Sequence, residues 1–275
     1  MGCRKVTVVL GIDAAWTKTK PSGVAVAADH GGGWQLIAAA TSYRSFQSLN
    51  DDRQPTAQFS EDFVPDAAAL LASASQLCRA SVELVAIDMP LARTPITKRR
   101  VSDNAVSVAY GARKCGTHSP NSARPGPIST NLRTGFERAG YPLRTELPLR
   151  RGVIEVYPHP ALVELTGAQE RLPYKVSRAR SYWPLMTPAE RRTRLIVQWS
   201  EIIDLLERDI AGVRTALPIL KIEPSRVEMK AYEDALDAVI CAWIAVCALD
   251  GRAKPFGDKN SAIWIPNFAR IAVSS

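Results

Sequence analysis

Five carboxylates of this sequence stand at positions suited to catalysis or to metal binding. Asp13 closes the apolar run Lys5-Val-Thr-Val-Val-Leu-Gly-Ile-Asp13, and Asp88 closes a second, Val82-Glu-Leu-Val-Ala-Ile-Asp88. Glu155 lies inside a third, Gly152-Val-Ile-Glu155-Val-Tyr-Pro-His159. Asp234 and Asp237 are three apart in Glu233-Asp-Ala-Leu-Asp-Ala238, so on a helix they share a face. An unpaired carboxylate in apolar surroundings is costly. Acids at the ends of apolar runs therefore need a cation, a basic side chain or a proton beside them. Each also has a plainer role. A strand-end Asp can cap the turn that follows, and Glu155 can point to solvent. The helix dipole favours acids in a first turn, which accounts for Glu233 and Asp234. It accounts less well for Asp237, flanked by Leu236, Ala238 and Val239.

The secondary structure that carries these acids can be read from periodicity. Near-continuous apolar runs predict buried strands of a largely parallel sheet at 5–13 and 82–88. Neighbouring strands lie about 4.8 Å apart, so if these two are adjacent, Asp13 and Asp88 can hold one cation between them. Strands at 23–28 and 34–41, joined to the first by short turns, predict an antiparallel meander. A helix from about Asp62 to Ala80 supplies the crossover to strand four. The fifth strand is 152–157, stopped by Pro158 and Pro160, with a short helix over 160–167. Thr187-Pro-Ala-Glu190 is a capping box that opens a helix to about Ile210. The last helix, from Met229 to Leu249, is apolar on most sides and hence buried. The tail, 257–266, ends in a small strand or turn.

A chain of 275 residues can bury a sizeable core. It reads as one domain, 1–275, with a basic insertion at 93–151 and a helical insertion at 168–212. The net charge is +8. Residues 93–151 hold twelve Lys and Arg against the acids Asp103, Glu137 and Glu146, so the rest of the chain is nearly neutral. A local basic excess suits a polyanion, nucleic acid first, although a solvated basic face has the same composition. Within that segment 113–131 is rich in Gly, Pro and Ser and reads as a long loop. A second basic stretch, 171–194, interleaves Tyr174, Tyr182 and Trp183, which suit stacking on bases or packing. The five cysteines are odd in number and form no C-x-x-C pair, which predicts free thiols in a reducing compartment. The longest apolar stretch is too short to span a bilayer. A cytoplasmic, soluble protein is expected.

The order of meander, helix, strand four, insertion, strand five and final helix, with acids at strands one and four and on that helix, resembles the ribonuclease H-like fold. Asp234-Ala-Leu-Asp237-Ala is similar to the final acidic helix of RuvC-type Holliday-junction resolvases. The chain resembles most the family of predicted RNase H-like nucleases built on domain of unknown function number 429. The residues that carry this are Gly11-Ile-Asp13-Ala-Ala-Trp16, Ala86-Ile-Asp88-Met-Pro-Leu91, Arg100 with Asp103, Glu155-Val-Tyr-Pro-His159 and Glu233-Asp-Ala-Leu-Asp-Ala238.

The resemblance implies an α/β fold with a mixed five-stranded sheet flanked by helices. It implies Asp13, Asp88 and Asp237 as metal ligands, with Glu155 or Asp234 as a fourth acid. The chemistry would be two-metal phosphodiester hydrolysis, with Mg2+ or Mn2+ ions about 3.5–4 Å apart. Arg99, Arg100 and the second basic stretch would hold the phosphate backbone. His159, between two prolines, reads by itself as either a turn residue or a helper near phosphate. A homodimer follows by analogy. Two other functions compete: a nucleic-acid-binding protein that keeps the fold without catalysis, and a phosphotransferase of the actin-like relatives. The latter lacks support because Lys18 and Lys20 stand where a Gly-rich phosphate loop is needed after strand one.

Overall fold

The computed structural model describes residues 6–17, 19–50, 65–220 and 223–268. The Asp51-Asp52 pair, the expected helix start at Asp62, Cys3 and Lys18 lie outside them. β1 (Thr7–Asp13), β2 (Gly23–Asp29) and β3 (Trp34–Ala40) form an antiparallel meander. A short helix, α1 (Tyr43–Gln47), follows, then α2 (Ala67–Cys78), capped by the Asp66 side chain. α2 leads to β4 (Val82–Ile87), which pairs parallel with β1. α3 (Val101–Tyr110) and α4 (Pro127–Arg138) fill the basic insertion. Pro127 opens α4, where a missing N–H costs nothing, so the loop expected to reach Asn131 ends earlier.

β5 (Gly152–Val156) pairs parallel with β4 and passes into α5 (Pro158–Thr166). The helical insertion carries α6 (Ala179–Tyr182), α7 (Pro188–Leu206) and α8 (Val213–Ala216). Last come α9 (Arg226–Leu249), β6 (Ala253–Gly257) and β7 (Ala262–Pro266).

Among the described residues the sheet has seven strands, in the order β3-β2-β1-β4-β5-β7-β6, where five were expected. β7 pairs parallel with β5, and β6 pairs antiparallel with β7 as the edge. β6 is hard to read because Ala-Lys-Pro-Phe-Gly holds a proline and a glycine and lacks alternation. Proline is tolerated in a strand at an edge, where no partner needs its N–H. The expected class, a mixed α/β sheet flanked by helices, holds.

Alternation along the strands divides two cores. Val9, Leu84, Ala86, Ile154 and Val156 pack beneath α5, α7 and α9. Leu10, Ile12, Val85, Ile87 and Val153 pack against α1, α2 and α4. Every residue of α9 from Tyr232 to Ala248 is buried, as expected for a helix apolar on most sides. Two glycines let it lie directly on the sheet. A Cβ on Gly11 would overlap the Ala238 carbonyl and the Ala242 nitrogen, and one on Gly23 the Asp234 carbonyl. Cys78, Cys115, Cys241 and Cys247 are free and buried. Among the described residues, no helix is long and apolar enough to cross a membrane.

Candidate metal centre

Strand parity decides which acids meet. Asp13 follows Val9 and Gly11 at intervals of two, so it shares their face, the one covered by α9. Asp88 follows Leu84 and Ala86 in the same way, and its N–H donates to the Ile12 carbonyl at 2.9 Å, holding it beside Asp13. From above, α9 presents Asp234 and Asp237 to this strand end. Ser225 caps the helix, its hydroxyl and the Glu228 carboxylate forming a capping box. One carboxylate oxygen each of Asp13, Asp234 and Asp237 lie within 4.8 Å of one another. Asp88 stands next to this trio and lines one cleft, of about 900 Å³, with Asp13 and Asp234. Of the acids expected to act together, Asp13 and Asp237 are joined in this trio by Asp234, which the sequence offered as a fourth acid, while Asp88 lies beside it. Asp234 and Asp237 project from one face of one helix, and Asp88 joins Asp13 from the neighbouring strand.

The charges are partly compensated from within. Asp237 is wholly buried. The Tyr174 hydroxyl donates to its Oδ1 at 2.8 Å, and the Lys175 ammonium donates to its Oδ2. Lys175 also lies 3.6 Å from Glu233. Lys230 donates to Glu233 at 2.9 Å and to Asp234. The second Glu233 oxygen accepts from the Val176 N–H at 2.5 Å. Among the described residues, five carboxylates (Asp13, Asp88, Glu233, Asp234 and Asp237) therefore meet two ammonium groups. Desolvation, then the Asp237 charge, raises the Asp13 carboxyl well above its ordinary range. Desolvation pushes Asp88 up to about 7, with Lys175 opposing and Asp237 and Glu155 adding. Asp234 is raised by the same loss of water, against Lys230. Burial would lower the Lys175 ammonium, but Asp237, Tyr174 and Glu233 together hold it well above its usual value. Such an oxygen-only donor set fits a hard divalent cation, and Lys20, Arg124 and Arg226 stand around it on the cleft wall.

The sequence model of the family described as protein of unknown function (DUF429) matches residues 11–262. The chain belongs to this family. No curated protein and no solved structure matches the chain. The DUF429 match spans all the acids of the centre and both insertions.

In this DUF429 chain Glu155 has a different task. Val153 and Glu155 share the sheet face opposite to that of Ile154 and Val156, which pack beneath α9. Glu155 is buried, and Arg100 grips both of its oxygens, at 2.6 and 2.7 Å. Arg100 also bonds Asp103 through Nε and Nη2 and the Leu91 carbonyl through Nη1, so all three of its nitrogens are engaged. Arg99 is similarly consumed, by Asn104, Ser107, Thr117, Ser119 and the Asp103 carbonyl. Both arginines expected to hold phosphate are thus engaged with partners inside the protein. His159 is buried between Tyr157 and Tyr174, and its Nδ1 has no partner among the described residues. Burial, with Lys175, Arg171 and Arg178 adding, lowers its pKa well below the ordinary value. It supplies no cation for phosphate at neutral pH.

Sequence reasoning missed Lys230, and it placed Tyr174 and Lys175 in a stretch suited to stacking and phosphate contacts rather than against Asp237. Lys230 was legible, since it precedes Glu233 and Asp234 by three and four, a helical ion-pair spacing. Lys175 and Tyr174 had no local signal, because the helical insertion brings them in across about sixty positions of chain. The insertion at 93–151 contributes His118, Ser119, Asn121 and Arg124 to the cleft wall, with Arg124 6.0 Å from the Trp16 ring.

Proposed function

We propose that this chain is a metal-dependent nuclease that hydrolyses phosphodiester bonds of nucleic acid, on a ribonuclease H-like fold. The observation that carries the reading is the convergence of Asp13, Asp234 and Asp237, from opposite ends of the sequence, on one end of the sheet. Asp13, Asp234 and Asp237 would hold Mg2+ or Mn2+. When bound, such an ion acts as a Lewis acid on a phosphoryl oxygen and lowers the pKa of coordinated water. The chain's own groups do the rest. Lys175 and Tyr174 fix the orientation of Asp237. Lys230 holds Asp234 and Glu233 in place at the rim of the cleft. Asp88, beside the trio and open to the cleft, is placed to take a proton from water. Trp16 offers a flat face for a base.

The test is Mn2+-dependent cleavage of labelled DNA and RNA by the wild type and Asp13→Asn. The wild type is expected to cleave; the variant is expected to lose both cleavage and Mn2+ affinity while still binding the strand. A second reading, a nucleic-acid-binding protein without catalysis, draws on Lys175 and Lys230, which already neutralise part of the cluster. Binding by the wild type without cleavage in any divalent ion would establish that reading instead.

A further inference from the structure

Beside the acidic cleft lies a second hollow of about 410 Å³, and Arg226 lines both. Arg180 of α6, Arg191 and Arg192 of α7 and Arg226 of α9 surround it, and no acid among the described residues lines it. Arg191 is fixed by its bonds to the Trp183 carbonyl, at 2.9 Å, and the Pro184 carbonyl, at 3.1 Å. Arg180, Arg192 and Arg226 make no side-chain hydrogen bond or ion pair with the described residues. The basic insertion is the opposite case. There, eight of twelve cations (Arg93, Arg99, Arg100, Arg113, Lys114, Arg133, Arg144 and Arg151) are spent on internal partners. Lys98, Arg124, Arg138 and Arg150 of that insertion remain without a side-chain hydrogen bond or ion pair among the described residues, but the hollow gathers three such guanidiniums in one concavity.

The shape of the hollow narrows its ligand. Four like charges around one concavity repel, and an anion relieves them. A guanidinium fork matches phosphate oxygens in a bidentate manner. The buried side chains of Leu195 and Met229 form the floor of the same hollow. Because Arg226 faces both cavities, a ligand that fills the hollow can continue into the cleft of Asp13, Asp88 and Asp234. We propose that this hollow is the track of the phosphodiester backbone of a polynucleotide strand that runs past Arg226 to the acidic cleft. The substrate is then a polymer rather than a mononucleotide or a small phosphoester. The proposal rests on the nuclease reading for where the strand leads, but not for its binding.

The experiment measures fluorescence anisotropy of labelled single-stranded DNA and RNA oligonucleotides in EDTA, over a series of salt concentrations, with the full chain. The double variant Arg180→Ala/Arg192→Ala is compared with wild type and with Arg138→Ala, an exposed arginine on α4. Thermal melting and Mn2+ affinity of the variants serve as checks of folding. The double variant is expected to bind both strands more weakly. Its slope of log K against log salt should be shallower by roughly 1.4, or about 0.7 for each phosphate no longer neutralised. Arg138→Ala should match wild type. Equal slopes in all three proteins, no binding by the wild type, or equal displacement of the strand by polyglutamate would each overturn the track. If the double variant loses binding while the wild type fails to cleave in Mn2+, the track stands and the nuclease reading falls. If the wild type cleaves and the slopes agree, the reverse holds.

Discussion

At Lys175 the charge balance of the centre can be tested directly. Its ammonium group sits against Asp237, which is wholly withdrawn from water, and against Glu233. Removing one partner of a buried pair strands the other, at a cost of about 3–5 kcal/mol. Lys175→Met should therefore destabilise the metal-free protein by about that amount in urea denaturation, and saturating Mn2+ should narrow the gap by replacing the missing charge. A gap unchanged by Mn2+ would mean that the ion does not reach Asp237. Glu155 offers the matching contrast. It is locked to Arg100 on the face away from α9. Glu155→Gln should lower stability and leave Mn2+ affinity, read by calorimetry, at the wild-type value. Loss of that affinity would return Glu155 to the ligand set that the sequence suggested for it.

The element that builds the site is α9, because it supplies Asp234 and Asp237 and lies directly on β1 and β2. Its closeness depends on Gly11 and Gly23, where any side chain would meet backbone of α9. Overpacking a core costs about 1–3 kcal/mol, and a clash with main chain cannot be relieved by a rotamer change. Gly11→Ala is expected to lower the melting temperature and to weaken Mn2+ binding together, since lifting α9 parts Asp237 from Asp13. Intact Mn2+ affinity in a destabilised Gly11→Ala protein would show that the acids do not depend on this close approach. Much of this element was legible beforehand. Its length, burial and paired acids follow from the run Met229 to Leu249. Its true start, Arg226, was missed because the Ser225 and Glu228 capping box precedes the apolar pattern.

For the molecule as a whole, the acids bind proton uptake to stability. The Asp88 carboxyl is pushed up to about 7, against about 3.9 in an unfolded chain. Between those values the folded state holds the extra proton, so this contribution is full below the lower value and is lost as pH rises through the upper one. The melting temperature of the metal-free protein should thus fall as pH is raised from about 5 to about 8, and Asp88→Asn should flatten the fall. An identical slope in the variant would contradict the raised carboxyl. A divalent ion acts in the opposite sense. At a hundred times its Kd it adds about 2.7 kcal/mol, or roughly 5–10 °C for a chain of this size. Differential scanning fluorimetry with Mn2+ measures that shift, which Asp13→Asn should abolish.

Period and composition along the chain were enough to mark the strands that end in Asp13 and Asp88, the buried final helix and the sharing of one helical face by Asp234 and Asp237. These are local facts. Alternation also set Glu155 opposite to Ile154 and Val156, but it could not say which face would receive α9. That choice belongs to the packing of the sheet. Packing turned Glu155 towards Arg100 and brought Lys175 and Tyr174 to Asp237. It left Arg180, Arg192 and Arg226 without partners among the described residues while consuming most of the cations at 93–151. The reason is physical: a charge has no period, and its partner is chosen by the meeting of segments far apart in the chain.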